Sequence, residues 1–133
     1  MTRSAKDATD TMSCTRSPCP VACTLDLLGD KWTLLVVRDL LLGKSTFSEI
    51  QQSPEGIPSN ILAERLKRLV GHAVAEQVLY QERPKRYRYR LTQKGRDLYP
   101  VLSAMIDWGN RHVPGTVTRG QIEASLRSRT ADR

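Results

Sequence analysis

The sequence predicts one α+β domain, mostly helical, in which four helices precede a two-stranded hairpin and one long helix follows it. The chain has 133 residues with 39% hydrophobic content, which suffices for one core and is too little for two. Several segments repeat apolar residues at the helical period. Residues 86–91 instead alternate aromatic and cationic side chains, which is the period of a strand.

The first two predicted helices lie between Pro20 and Leu42. Proline suits the first position of a helix, so we expect the first helix to begin near Pro20 and to end at Gly29. Asp30 can cap the second helix. The apolar residues of the second helix cover almost every face, which predicts that it is the buried centre of the domain.

A turn separates the third predicted helix from the fourth. Thr46 and Glu49 have the spacing of a capping box and predict a short third helix. The fourth helix extends from Pro58 to about Gly71, with leucines on one face. Its opposite face carries Asn60, Glu64, Lys67 and Arg68.

The hairpin and the last helix complete the predicted domain. Its strands are residues 74–80 and 86–91, joined by a tip at 81–85 that contains a proline. We expect Thr92 to cap one long final helix that ends near His112.

The whole chain divides into an expected flexible arm over residues 1–18, the folded domain over 19–113 and a tail over 114–133. The tail is expected to be frayed or to form a marginal extra helix. The sequence has no run of about 18 apolar residues and no signal peptide pattern. We therefore expect a cytoplasmic protein without a membrane span.

The net charge of +7 is confined to one stretch of the chain, residues 58–96. This stretch has ten Lys or Arg and three acidic residues, whereas the rest of the chain has eleven of each sign. A local basic excess favours a polyanion partner, because each cation placed on a phosphate releases condensed counterions. A solvated basic surface without a partner is the alternative.

This order of elements is that of a winged helix-turn-helix domain, with the hairpin as a basic wing. In such domains the second helix of the pair enters the major groove by its N-terminal residues. Here those are Ser59 and Asn60, and asparagine can pair with adenine. Cationic side chains further along the helix suit DNA phosphates, and the arginines of the wing suit the DNA backbone or a narrow minor groove. The predicted DNA-binding residues are Ser59, Asn60, Glu64, Lys67, Arg68, Arg83, Lys85, Arg86 and Arg88.

Three motifs resemble those of the HxlR family of regulators. The first is Cys19-Pro20-Val21 followed by residues 24–32, and the second is residues 57–69, similar to the recognition helix of that family. The third, residues 87–95, is similar to its wing exit. The segment Pro58-Ser59-Asn60 departs from many relatives, which have serine followed by a longer polar or basic residue.

The resemblance implies a homodimer built from the N-terminal segment and the last helix, reading a pseudo-palindromic DNA operator. Two DNA-binding domains, which we call reading heads, also make more contacts with DNA than one. A two-fold dimer suits half-sites one helical turn apart. The alternative role of the same apolar residues is the core of their own domain. The candidates are Leu25, Leu98, Leu102, Met105, Ile106 and Trp108.

Three cysteines lie within the first 23 residues. Cys19 is expected at a helix N-terminus, which favours the thiolate. Some members of the family sense oxidants or electrophiles through a cysteine at this position, so the resemblance implies the same role for Cys19. An inert cysteine is the alternative. Cys14 is a candidate resolving thiol, and Cys23 is expected to be a small buried apolar residue. In a reducing cytosol we expect no structural disulfide, and the cysteine spacing does not predict zinc.

The sequence therefore predicts a DNA-binding repressor, with no cofactor and a small-molecule or oxidant effector as a possible further partner. An enzyme is not predicted, because neither histidine has an evident carboxylate partner. A winged-helix protein-interaction module without DNA binding is the alternative, since fold does not dictate function. Binding that weakens steeply with salt would favour DNA.

Overall fold

The computed structural model describes residues 16–131, with side chains up to residue 125. The predicted fold class is confirmed, whereas most of the expected arm, including Cys14, lies outside the described residues. The elements are α1 (Pro20–Leu28), α2 (Thr33–Leu41), α3 (Phe47–Gln51), α4 (Ser59–Gly71), β1 (Ala75–Glu82), β2 (Lys85–Leu91), α5 (Gln93–Arg96), α6 (Tyr99–His112) and α7 (Arg119–Ala131).

Helix α2 is at the centre of the core, as its apolar faces predict. Val36 and Val37 are almost completely buried, and the leucines of α4 pack in the same cluster. The carboxylate of Asp30 accepts hydrogen bonds from the backbone N–H of Trp32 and Thr33 at 3.1 and 3.2 Å, so it caps the start of α2. These contacts fix α2 as the scaffold for α4.

The predicted capping box of α3 is confirmed. The hydroxyl of Thr46 accepts from the backbone N–H of Glu49, and the Glu49 carboxylate accepts from the backbone N–H of Thr46 at 3.0 Å. The backbone N–H groups of Ser45 and Thr46 lower the pKa of Glu49 to about 2, because they stabilise its charged form.

The wing is longer than the sequence predicts. Its antiparallel strands remain paired up to Glu82 and Lys85, so the tip is reduced to Arg83 and Pro84. Proline removes a donor from a ladder, but at the turn itself it costs no strand pairing. The backbone N–H of Tyr89 donates to the carbonyl of Ser45 at 2.8 Å, which holds β2 to the loop before α3.

The prediction of one long helix after the wing is wrong. Thr92 does cap a helix, through a hydrogen bond from the backbone N–H of Gly95, but that helix, α5, ends at Arg96. Pro100 has no N–H to donate to Arg96, as an uninterrupted helix would require. The proline instead lies in the first turn of a new helix, α6, where a missing donor is tolerated.

The C-terminal tail forms a helix, α7, from Arg119 to Ala131. The Arg119 guanidinium donates to the Ser103 carbonyl at 3.0 Å and to the Asp107 carboxylate at 2.7 Å. These bonds join the start of α7 to α6. None of the helices in the described part of the chain has the length and apolar character that a bilayer crossing needs.

Candidate nucleic-acid interface

Helix α4 presents one continuous polar face to solvent. Leu62, Leu66 and Leu69 bury the other face in the core. Pro58 precedes the helix and supplies no side-chain cap, so no side chain satisfies the N–H groups of its first turn. The exposed face consists of Ser59, Asn60, Ala63, Glu64 and Lys67.

Ala63 was not singled out from the sequence. It belongs to this face because it lies one turn beyond Ser59 and Asn60, and a methyl group there can contact the methyl of thymine. The helical spacing of three and four residues was the signal that could have found it.

Arg68 is on α4, but the structure places it away from this face. Its side chain is half-buried, and Nη2 donates to the carbonyls of Asp26 and Leu27 in α1, at 2.9 and 3.0 Å. Arg65 likewise donates from Nε to the Asp30 carboxylate at 2.8 Å and forms an ion pair with Glu64. Of the predicted cations of α4, Lys67 is the exposed one.

The wing carries the other predicted cations. Arg83, Lys85 and Arg86 are exposed, at the tip and at the start of β2. The Arg88 guanidinium lies 4.7 Å from the ring centroid of Tyr80, a cation–π contact between the two strands of the hairpin. The exposed cations among the predicted DNA-binding residues therefore lie on α4, at Lys67, and along the wing.

A buried polar cluster supports the turn that leads into α4. The Asp39 carboxylate accepts from the Ser53 hydroxyl at 2.6 Å and from Nε and Nη2 of Arg38 at 3.1 and 2.9 Å. Arg38 also donates two bonds of 2.8 Å to Glu55, and this pairing lowers the pKa of Glu55. We call Arg38, Asp39, Ser53 and Glu55 the turn cluster. Sequence reasoning did not identify this cluster, although an acidic residue, Asp39, within the apolar second helix was a signal that could have found it.

The candidates for a dimer interface fall into two groups. Leu98 and Leu102 pack against the core of their own domain, which is the alternative role weighed for them. Leu25, Met105 and Trp108 have exposed fractions of 53%, 52% and 62%. Ile106 is half-buried. Val101, Met105 and Trp108 line one exposed apolar groove on α6, and Val21 and Leu25 are exposed on α1.

Cys19 is an exposed free thiol at the N-terminal cap of α1. The backbone N–H of Ala22, and then that of Val21, lower its pKa because they stabilise the thiolate. Cys23 is half-buried and disulfide-bonded, so its predicted role as a simple apolar residue is wrong, as is the expectation of no disulfide. The partner of Cys23 and the candidate resolving thiol Cys14 lie outside the described residues.

The match to a family model decides the classification. A model described as an HxlR-like helix-turn-helix matches residues 27–116. The chain belongs to the HxlR-like family. The family predicted from the sequence motifs is thereby confirmed.

Sequence and structure comparisons support the same assignment for this HxlR-like protein. An HTH-type transcriptional regulator of Mycobacterium tuberculosis is 37% identical over 90 residues, 68% of this chain and 56% of that regulator. This chain therefore matches little more than half of its length. The crystal structure of PA1607, a candidate transcription factor, has a TM-score of 0.68 at 42% identity and covers 77% of this chain and 72% of PA1607.

A further similar structure is the reduced form of the transcriptional regulator YodB from Bacillus subtilis. It has a TM-score of 0.61 at 31% identity, over 76% of this chain and 100% of YodB. The family and these relatives are transcriptional regulators and not enzymes, in agreement with the sequence-based prediction. Over residues 27–116, this HxlR-like protein is similar to transcriptional regulators of the helix-turn-helix type.

Proposed function

We propose that this HxlR-like protein is a transcriptional regulator that binds duplex DNA as a homodimer, with α4 in the major groove and the wing on the adjacent backbone or minor groove. The observation that carries the proposal is the exposure of Lys67 and the wing-tip cations, which belong to the one stretch with excess positive charge. A protein-interaction module has no need for such a surface, whereas a polyphosphate neutralises it.

The proposed DNA-binding residues fall into two sets, one suited to base edges and one suited to phosphates. Ser59, Asn60 and Ala63 lie at the start of α4 and suit base edges, and the carboxylate of Glu64 can accept from cytosine. Lys67 and the wing cations suit phosphates, which position the protein without reading sequence. A two-fold dimer would place two such heads on a pseudo-palindromic site. A dimer covering more than one helical turn would block an overlapping promoter, so we propose repression.

The test measures affinity for a duplex from the promoter of the protein's own gene against salt concentration. We expect the plot of log K against log[salt] to be steep, and Lys67→Ala and Arg86→Ala each to reduce its slope by about 0.9. Arg111→Ala, an exposed cation outside residues 58–96, is the matched control and should leave the slope unchanged. Absence of binding by the wild type at low salt would favour the protein-interaction module instead.

We also propose that oxidants or electrophiles regulate this activity through Cys19. Its exposure and lowered pKa make the sulfur an accessible nucleophile, and the related YodB has been solved after diamide treatment as well as in its reduced form. In the fully reduced protein, in which Cys23 also carries a thiol, Cys14 is the proposed second thiol.

Diamide titration of the reduced protein on DNA tests this role. We expect the wild type to release DNA and Cys19→Ser to remain bound, because serine has no nucleophilic sulfur. Cys23→Ser is the matched control and should still respond. Equal responses of the wild type and Cys19→Ser would exclude Cys19 as the sensor.

A further inference from the structure

Arg68 completes the C-terminal end of α1. The last carbonyls of a helix have no partner within it, and those of Asp26 and Leu27 accept instead from Nη2 of Arg68 at 2.9 and 3.0 Å. A cation at this end is also favoured by the helix dipole. A single guanidinium nitrogen of α4 thus holds the end of a helix that is about 40 residues away in sequence.

Arg65 makes a second link one turn earlier on α4. Its Nε donates to Oδ2 of Asp30 at 2.8 Å, and the exposed fractions of the two side chains are 19% and 25%. The same oxygen of Asp30 accepts from the backbone N–H of Trp32 and Thr33. Although burial alone would raise the pKa of Asp30, hydrogen bonds from Thr33 and Arg65 hold it well below its usual range, so the carboxylate remains charged.

These two links restrain α4 in a way that its leucines cannot. The burial of Leu62, Leu66 and Leu69 is non-directional and permits small rotations or translations of the helix. The hydrogen bonds of Arg65 and Arg68 have defined donors and acceptors, and they tie one side of α4 to α1 and to the start of α2. A displacement of α1 would therefore move or release the reading helix.

We propose that Arg68 is a positioning residue, which sets the placement of the reading helix by its bonds to the end of α1 and does not itself contact a phosphate. This inference rests on the proposed DNA binding. Helix α1 also carries Cys19 at its N-terminal cap, the disulfide-bonded Cys23 and the exposed Leu25. Arg68 is thus a direct hydrogen-bonded connection between the helix that bears these groups and the helix proposed to read DNA.

The experiment compares Arg68→Met with its exposed neighbour Lys67→Ala on the same duplex over a range of salt. For Arg68→Met we expect about tenfold weaker binding, since bonds from a charged donor are lost, with an unchanged salt slope. For Lys67→Ala we expect a slope reduced by about 0.9. A slope reduced equally in Arg68→Met, or unchanged affinity in Arg68→Met, would overturn the proposal.

Hydrogen exchange of the free protein separates positioning from a general loss of stability. Arg68→Met should exchange faster at residues 24–30 than the wild type, while Lys67→Ala should not, because only the former frees the end of α1. Arg68→Lys, which retains the charge and one donor group on a shorter side chain, should recover part of the affinity and is the variant to use if Arg68→Met does not fold. Full loss in Arg68→Lys with unchanged exchange would also overturn the proposal. Failure of the wild type to bind any duplex would instead refute the proposed function.

Discussion

Replacing Asp39 by alanine is expected to lower the free energy of unfolding by about 3 to 5 kcal/mol, the range for breaking a buried ion pair from one side. The Asp39 side chain is only 4% exposed and is the shared acceptor for Arg38 and Ser53. Its removal leaves the half-buried Arg38 guanidinium with Glu55 alone and the Ser53 hydroxyl without this acceptor. Both groups would then lose hydrogen bonds in a region that water reaches poorly.

Urea unfolding of Asp39→Ala and of Asp107→Ala measures this effect. Asp107 also forms an ion pair, with Arg119, but its side chain is 61% exposed, so we expect a cost of less than about 1 kcal/mol. Asp39→Asn keeps the shape and should fall between the two. Equal midpoints for Asp39→Ala and Asp107→Ala would show that the turn cluster contributes nothing beyond a surface pair.

The turn cluster also explains how the N-terminal end of α4, the proposed reading helix, is held in place. Ser53 and Glu55 lie in the turn between α3 and α4, and both are bound to side chains of α2. The turn therefore moves with the core. Arg65 and Arg68 hold the opposite flank of α4, so the proposed reading face is fixed at both its start and its middle.

Most of this architecture could be predicted from the sequence because its signals are local. The Thr46–Glu49 box, the proline at the first position of α1 and the alternation in β2 each depend on residues only a few positions apart. The break between α5 and α6 depends on more than Pro100, which occurs both in kinked helices and in the first turn of a helix. The local pattern does not decide between a kinked helix and a new helix. The packing of α5 bears on that choice, and it is a long-range contact in which a side chain at Gly95 would collide with the carbonyl of Val74.

The candidate site was less predictable where two distant segments meet. Helical periodicity places Arg68 beside Lys67, but only the packing of α1 against α4 turns its guanidinium towards two carbonyls. The disulfide of Cys23 likewise depends on a distance in space that spacing along the chain does not give. The exposed face of α4 follows from periodicity alone, which is why Ser59, Asn60 and Lys67 lie where the sequence places them.

Introducing glutamate at both Met105 and Trp108 is expected to convert the proposed homodimer to a monomer and to weaken binding to a two-half-site operator by at least about 100-fold, the range for loss of a linked second site. Trp108 and Met105 are more than half exposed in the single chain. Burying side chains of this size stabilises by about 1.5 to 3 kcal/mol each, whereas burying two unpaired carboxylates opposes association.

Sedimentation equilibrium measures whether the variant is a monomer, and binding to full and half operators measures the affinity that the second site adds. Gln121→Glu with Ser125→Glu adds the same charge at exposed polar positions of α7 and should leave both mass and affinity unchanged. The variant of α6 should keep its weak half-site binding, because α4 and the wing are untouched, and lose only the gain from the second site. A double variant that sediments as a dimer would place the subunit interface elsewhere, and loss of half-site binding would show that α6 supports the reading head itself.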